Sequence, residues 1–483
     1  MALNSSGPIS LGGTTTGQSI EVELGGTGLT MISLNDTTVR TLAGVASGQI
    51  TMPTNFWGKS NASYWIGAIT GPRNLNGYFI SIDSSYNIYG VSATSGTTNP
   101  RSAHLVKFSP TGSTIWSKLY QGSGTNGACA PIGPIELNPN GYYNFTGLTN
   151  VTGTTNLSGM ISLDSNGNII QSRNGNDTGG CNGFVTFANG NILSSRSGGA
   201  TVYNSSYGAI ASWSLTNANF TYAGLDSAGN AILIGAQGAT RRSLLCASIS
   251  PTGTLNYFTI TPANGTTLTA GANNLNMNSS GTIAIGWGTV QGMLACSLFN
   301  TSNGSFIRTS NIIISGFGYL VASGPCGVAF DSSGNYYGLV QGSTGNNYLI
   351  LFKWNSSGTL IWQRNITPSA SFALSVSNTT SSYRGRLAVD NSGNLYVSIY
   401  VLDTTTFVTR QYIMKLPSDG SKLGTYGPIN EVTFTYSVGT QTDGGSSSYT
   451  ASPYTGYGST VLTNSANTIT VTNGSEVMTQ TTI

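Results

Sequence analysis

The chain has 483 residues and a mass of 50.0 kDa, with 18 Lys and Arg against 15 Asp and Glu for a formal charge of +3. Charged residues are 7% of the total, against about 25% in an ordinary soluble domain, and mean hydropathy is +0.00. Solubility must therefore come from hydroxyls, amides and exposed backbone. No Lys/Arg stripe is present to neutralise phosphates, so nucleic acid is not an expected partner. No run of 18 apolar residues exists to cross a membrane as a helix, so the chain is not expected to be membrane-embedded.

Helix formers are sparse. With 65 glycines among β-branched and aromatic residues, the composition predicts an all-β chain of short strands and tight turns. Residues 1–60 come first. MALNSSGPISLGG has no basic or apolar leader segment, so no signal peptide is legible. The run around 35–45 reads as a short helix capped by Asn35 or Asp36. Leu11, Val22, Leu29, Ile32, Leu34, Val39 and Leu42 are too few to sustain a domain of this length, so this stretch is expected to complete itself against a partner.

From residue 61 to 430 two phrases alternate. The first is spelled IDSSYNIYG at 82–90, LDSAGNAIL at 225–233, FDSSGNYYG at 330–338 and VDNSGNLYV at 389–397, with LDSNGNIIQ at 163–171 a close cousin. An apolar run ends at Asp, which accepts hydrogen bonds from the backbone just ahead. Gly then takes the positive φ that closes the loop. Asp83, Asp164, Gly167, Asp226, Gly229, Asp331, Gly334, Asp390 and Gly393 are thus turn residues; Tyr86 stands where Gly is expected, so that turn should be strained or of another type.

The second phrase follows about 20 residues later, as in LVKFSPTGSTIWSK (105–118) and LFKWNSSGTLIWQR (351–364). It is again a hairpin. The compound unit recurs at Asp83, near Pro139, near Ala188, and at Asp226, Asn278, Asp331 and Asp390. Two hairpins repeated at roughly 50 residues are the signature of a β-propeller blade. Seven copies argue for seven four-stranded blades, and blurred early boundaries leave six or eight open. Residues 431–483, a strand followed by a Gly/Ser/Thr-rich tail, are expected to close the ring, pair at an edge or reach a neighbouring subunit.

Chemistry has little material. His104, the one histidine, lies in AHLVKF without a recognisable acid and nucleophile, so no catalytic residue is assigned. Each Asp turn brings a single carboxylate, and the five widely spaced cysteines form no knuckle; no metal or cofactor is expected. Cys246 and Cys296 read as small buried hydrophobes. Trp116, Trp213, Trp354 and Trp362 fall in second phrases of different units, as blade packing or as a platform for stacking sugars.

The first 60 residues also resemble N-terminal segments of tailed-bacteriophage virion proteins, particularly tail and tail-fibre components. The likeness is carried by Ser6, Gly7, Pro8, Ile9, Ser10 and Leu11, then Ile32, Ser33 and Leu34, then Phe56, Trp57, Gly58 and Lys59. This chain departs by placing its aromatic-Gly segment after ITMPTN. The resemblance implies a virion protein of the tail or a tail appendage, attached to other tail proteins through Pro8, Ile9, Leu11, Ile32, Leu34, Phe56, Trp57 and Gly58, with the propeller exposed. The expected function is non-enzymatic and structural. The alternative is a host-attachment adhesin binding a cell-surface glycan or protein; a lectin-like module outside phages and an enzyme rank below both.

Overall fold

A computed structural model describes residues 3–4, 6–15, 18–24, 27–29, 31–43, 45 and 47–56 in a first compact unit, Met1–Tyr64. In the second unit, Trp65–Ile483, it describes 65–70, 74–95, 102–122, 128–131, 135–137, 143–150, 157–175, 181–206, 208–237, 243–262, 274–278, 280–288, 293–313, 325–341, 348–374, 386–447, 452–453, 457–458, 464–466, 469–473 and 477–482; Tyr64 is described too.

The first unit has a core of its own, which corrects the expectation that its apolar residues are too few. Leu3, Ile9, Ile20, Val39, Leu42, Ala43 and Phe56 are buried, with Leu11, Leu24, Ile32, Leu34, Val45, Ile50 and Met52 packed around them. Two short helices supply part of it. Helix α1 is Ile20–Glu23, capped by Ser19, whose Oγ accepts from the Val22 N–H at 3.2 Å. Helix α2 is Thr37–Ala43, and its first turn closes from the Arg40 N–H to the Asp36 carbonyl. Asp36 thus holds the capping position, but its carboxylate reaches back to the Ser33 N–H at 2.7 Å instead of into the helix.

The second unit is a ring of seven blades. Blade 1 runs Asn74–Ile82, Ile88–Ser95, Ala103–Phe108 and Thr114–Gly122. Blade 2 holds Ala128–Pro131 and Glu136–Leu137, then Tyr143–Asn150, Leu157–Leu163 and Ile169–Gly175. Blade 5 runs Asn274–Met277, Thr282–Gly288, Met293–Asn300 and Phe306–Ile313; blade 6 runs Pro325–Phe330, Tyr336–Gln341, Leu349–Trp354 and Leu360–Pro368. Side chains alternate between neighbours as a pleated strand requires. In Ala231–Gln237 of blade 4, Ala231 and Leu233 pack into the cluster shared with blade 3, while Ile232 and Ile234 pack against Ile283 and Ile285 of blade 5.

Blades are not uniformly four-stranded. One eight-stranded sheet carries blades 3 and 4 together, because Ala209–Leu225 pairs with 199–203 at its start and with Ala231–Gln237 at its end. Ile192–Tyr203 changes partner at Gly198, whose φ is +82°. Blade 7 is completed by the N-terminal strand Trp65–Thr70, which pairs with Thr409–Leu416 and so closes the ring.

The last segment adds a further strand to every blade, in reverse order. Val432–Val438 pairs with the outer strand of blade 6, Thr442–Ser447 with blade 5, and Ser452–Pro453 with blade 4. Then Tyr457–Gly458 reaches blade 3, Asn464–Ala466 blade 2, Ile469–Asn473 blade 1 and Val477–Thr482 blade 7. Sheet twist explains how one chain does this. At roughly 20–25° per strand, a fifth strand lies at about 80–100° to the innermost one and runs along the circumference. Short connections then suffice from blade to blade.

Candidate functional site on the turn-bearing face

Every blade runs outward in the same sense, so its first and third turns fall on one face of the ring. Their chemistry is repeated. Asp331 Oδ1 accepts from the Ser333 and Asn335 N–H groups at 3.0 Å each. Its Oδ2 accepts from Asn335 Nδ2 at 2.9 Å and the Tyr337 hydroxyl at 2.9 Å, with Lys353 Nζ at 3.6 Å. Blade 1 repeats the set with Asp83, Asn87, Tyr89 and Lys107. Blade 7 repeats the hydrogen bonds with Asp390, Asn394 and Tyr396, while Lys415, which feels the Asp390 charge, directs its Nζ to the Pro110 carbonyl at 3.4 Å. Asp164 and Asp226 keep the turn bonds.

Charge and burial follow. Burial first, then the adjacent Asp331 charge, pushes the Tyr337 phenol far above its ordinary value, so it remains a hydrogen-bond donor. Lys415 is lowered by burial, and Asp390 opposes that shift. At Asp164 burial alone would raise the carboxyl; hydrogen bonds from Asn168 and Asn166 and the Lys118 charge outweigh it and hold the group below the usual range.

Turn glycines have the backbone the spelling requires: φ is +73° at Gly167, +80° at Gly229, +77° at Gly334 and +83° at Gly393. Tyr86 takes φ +63° with the same hydrogen bonds, so its turn is of the common type with a side chain in the left-handed region.

These turns also fasten neighbouring blades. Trp116 Nε1 donates to the Ser165 carbonyl at 3.2 Å and Tyr120 to the Gly167 carbonyl at 2.7 Å, both across the blade 1–2 boundary. At the blade 6–7 boundary Trp362 Nε1 donates to Ser418 at 3.2 Å and Arg364 to the Gly420 carbonyl at 2.7 Å. Trp354 is fully buried and stacks on Tyr336 at 5.3 Å between ring centres. The tryptophans therefore serve blade packing; Trp213 too packs against the blade 3–4 core.

On this face a cavity of about 460 Å³ opens between the first turns of blades 5, 6 and 7. Its walls include Asn276, Asn278, Ser332, Ser333 and Asn391, over Met277, Phe330 and Val389. Asp331 and Asp390 also line it, but both carboxylates are committed to their own turns, as above. Asn276 Oδ1 accepts from the Phe330 N–H at 3.2 Å, and Asn278 Oδ1 from the Thr282 N–H and Ser280 Oγ at 2.9 Å each. The lining therefore offers serine hydroxyls and the remaining amide groups beside apolar side chains.

His104 lies elsewhere, fully buried in a rung across blade 1 with Ser92 Oγ at 3.3 Å and Ser117 Oγ at 2.9 Å. Ser297 and Thr309 at 2.7 Å, and Gln411 and Ser398 at 2.9 Å, make comparable rungs in blades 5 and 7. Sequence reasoning missed this rung, since only strand pairing brings its members together. Cys246 and Cys296 are buried free thiols, and burial pushes Cys246 up to about 12. Among the described residues no three His, Cys, Asp or Glu side chains converge as a metal site, and no helix is long and apolar enough to cross a membrane.

The attachment residues expected in the first unit separate into groups. Ile9 and Phe56 are spent inside its core, because a unit this small buries its best apolar groups first; Leu11, Ile32 and Leu34 are half-buried and Pro8 is exposed. Trp57 and Gly58 lie outside the described residues. Among the described residues of this unit the exposed large apolar side chains are instead Leu29, at 84%, and Met31, at 97%.

No family model matches the sequence, and no curated protein is detectably similar to it. Solved structures with a similar fold include a protein of unknown function from Bacteroides caccae, 12% identical, with 53% of this chain and 89% of that one covered at a TM-score of 0.35. Another is the Dos1 propeller, 9% identical, with 57% and 68% covered at a TM-score of 0.33. Likenesses at this level carry nothing about what the ring binds.

Proposed function

We propose that the chain is a non-enzymatic structural component of a phage tail or tail appendage, attached to other tail proteins through its first unit with the propeller exposed. The supporting observation is the pair Leu29 and Met31, bare on a unit in which, among the described residues, the other large aliphatic and aromatic side chains are buried or half-buried. Single exposed apolar residues are ordinary, but two this close in sequence and this exposed suit burial against a subunit. The resemblance of residues 1–60 to tail proteins names the kind of subunit. In the test, Leu29→Asp/Met31→Asp in the full chain is mixed with tail particles lacking the protein. The variant should melt as the parent does yet fail to co-sediment; co-sedimentation equal to the parent's defeats the reading.

The cavity supports a second reading, a host-surface adhesin. Its lining carries serine hydroxyls and amide groups, its carboxylates are tied up, and its volume falls in the roughly 300–1,000 Å³ range of small-ligand sites. Such a lining suits a neutral polyhydroxyl ligand such as a glycan. A glycan array should give signal that Ser332→Trp abolishes; a blank array leaves the structural role alone.

A further inference from the structure

We infer that the C-terminal tail is a strap whose last strand locks the seam of the ring. Two observations combine here, and neither depends on what the propeller binds. The first is where the ring closes. Six blades are built from consecutive chain, whereas blade 7 takes its fourth strand, Trp65–Thr70, from the beginning of the propeller. That seam holds the two distant parts of the chain together.

The second is where the strap ends. After circling the other blades it finishes on Trp65–Thr70, with Trp65 opposite Thr482 and Thr70 opposite Val477. Trp65–Ile69 is paired on its inner edge with Lys415–Gln411 as well. The closing strand is thus held on both edges, and to leave the ring it must either break both ladders or carry the end of the strap away from its own path. An edge strand leaves more readily than one paired on both sides, because only one ladder must break.

The start of the strap is pinned too. On the outer strand of blade 6, Gln363 Nε2 donates to the Gln441 carbonyl at 2.7 Å and its Oε1 accepts from the Gln441 N–H at 2.9 Å. The Gly439 N–H donates to the Gln363 carbonyl at 3.0 Å. From Val432 to Val477 the strap advances 45 residues (477 minus 432) over six blade-to-blade steps, roughly 25 Å of extended chain per step. It is a tether fixed at blade 6 and fastened over the seam at blade 7.

The consequence is kinetic. Opening begins at the seam, so the terminal strand governs the unfolding rate more than an equal length of strap elsewhere. Unfolding in denaturant, followed by total tryptophan fluorescence, should be at least about tenfold faster for a chain ending at Asn473 than for the full chain. The double variant Val471→Pro/Thr472→Pro, which disrupts the strap on blade 1, should change the rate less than about threefold. Equal effects, or none from the truncation, overturn the proposal.

A second measurement covers a truncated chain that fails to fold. Thr70→Cys/Val477→Cys in the full chain places a cross-link between facing residues of the closing strand and the last strand of the strap. When oxidised it should slow unfolding by at least about tenfold, and reductant should restore the parent rate. An oxidised chain that unfolds at the parent rate also overturns the proposal.

Discussion

Asp390 in the propeller and Glu21 in the first unit are both buried, 6% and 2% exposed, and they are opposites. Asp390 accepts from two backbone N–H groups, from Asn394 Nδ2 at 2.8 Å and from the Tyr396 hydroxyl at 3.1 Å, with the charge of Lys415 close by. Neither carboxylate oxygen of Glu21 has a hydrogen-bond partner among the described residues. The difference follows from how each region is built. A propeller repeats one hairpin, so a solution for burying a carboxylate found once can recur, as it does at Asp83, Asp331 and Asp390. The first unit is a single irregular core of short helices and loops, with no second copy of anything. Burying a carboxylate costs several kcal/mol unless its lone pairs are met.

The largest effect should come from cutting the wired carboxylate. Asp390→Ala leaves the Tyr396 hydroxyl, Asn394 and two backbone N–H groups without their acceptor and removes the counter-charge of buried Lys415. The expected cost is about 3–5 kcal/mol, whereas Asp226→Ala, whose turn lacks the Tyr and Lys partners, should cost about 1–2 kcal/mol. Denaturant melts of the two variants check this. Equal losses would show that the hub adds nothing to the bare turn.

Next comes the fastening of turn to neighbouring blade. Gly167 and Gly229 have similar positive φ, yet a Cβ on Gly167 would sit 3.0 Å from both Trp116 and the Tyr120 hydroxyl, while one on Gly229 meets nothing within 4 Å. Gly229→Ala therefore carries only the backbone term, about 1 kcal/mol, and Gly167→Ala about 2 kcal/mol because the blade 1 side chains must move. Chemical melts that return the same value for both would remove the blade-to-blade contact from the account.

The same contrast explains what the sequence reveals. A ring of about seven blades was legible, with six or eight left open, because Asp, two small residues, Gly and Asn write the turn locally at Asp226, Asp331 and Asp390 and looser spellings mark the other units. The closing strand was not legible: WIGAIT at 65–70 carries no turn phrase, and its partners lie more than 300 residues away. Of the strap, edge pairing was among the expectations for residues 431–483, but its course was not legible, since its strands over blades 3 and 4 are two residues each and too short for any periodicity. In the first unit the short helix at Thr37–Ala43 was readable from its capping residues, but its core was underestimated. Phe56 and Ile9 bury there through loop packing that leaves no repeating pattern. The cavity was invisible for a related reason, since turns from three separate blades form it.

Glu21 gives a smaller and opposite effect. Replacing an unpartnered buried carboxylate by an apolar group of similar size removes a desolvation cost, so Glu21→Leu should stabilise the first unit by about 1–2 kcal/mol. Hydrogen exchange at Ile20–Glu23 and Thr37–Ala43 would report it as slower exchange, with the propeller strands unaffected. Slower exchange breaks any claim that Glu21 is wired as Asp390 is; faster exchange would show an unseen partner.

The smallest effect tests the turn where spelling and backbone disagree. Tyr86 occupies the position that Gly167, Gly229, Gly334 and Gly393 occupy elsewhere, and its φ of +63° falls in the left-handed region that a side chain disfavours. The surroundings hold it there. Asp83 accepts from the Ser85 and Asn87 N–H groups at 3.0 and 2.8 Å, and the Tyr86 N–H donates to the Asp83 carbonyl at 2.9 Å. Those bonds match the glycine turns, so the strain is borne by the residue and not relieved by a different turn. Glycine releases the strain, about 1 kcal/mol, but adds freedom to the unfolded chain that offsets roughly half of it. Tyr86→Gly should therefore raise stability by about 0.5 kcal/mol. Tyr86→Asn, a residue that tolerates this conformation without glycine's entropy, should do at least as well. Both are read from denaturant midpoints at an unchanged slope. A loss in both variants would mean that the Tyr86 ring contributes packing that outweighs its backbone.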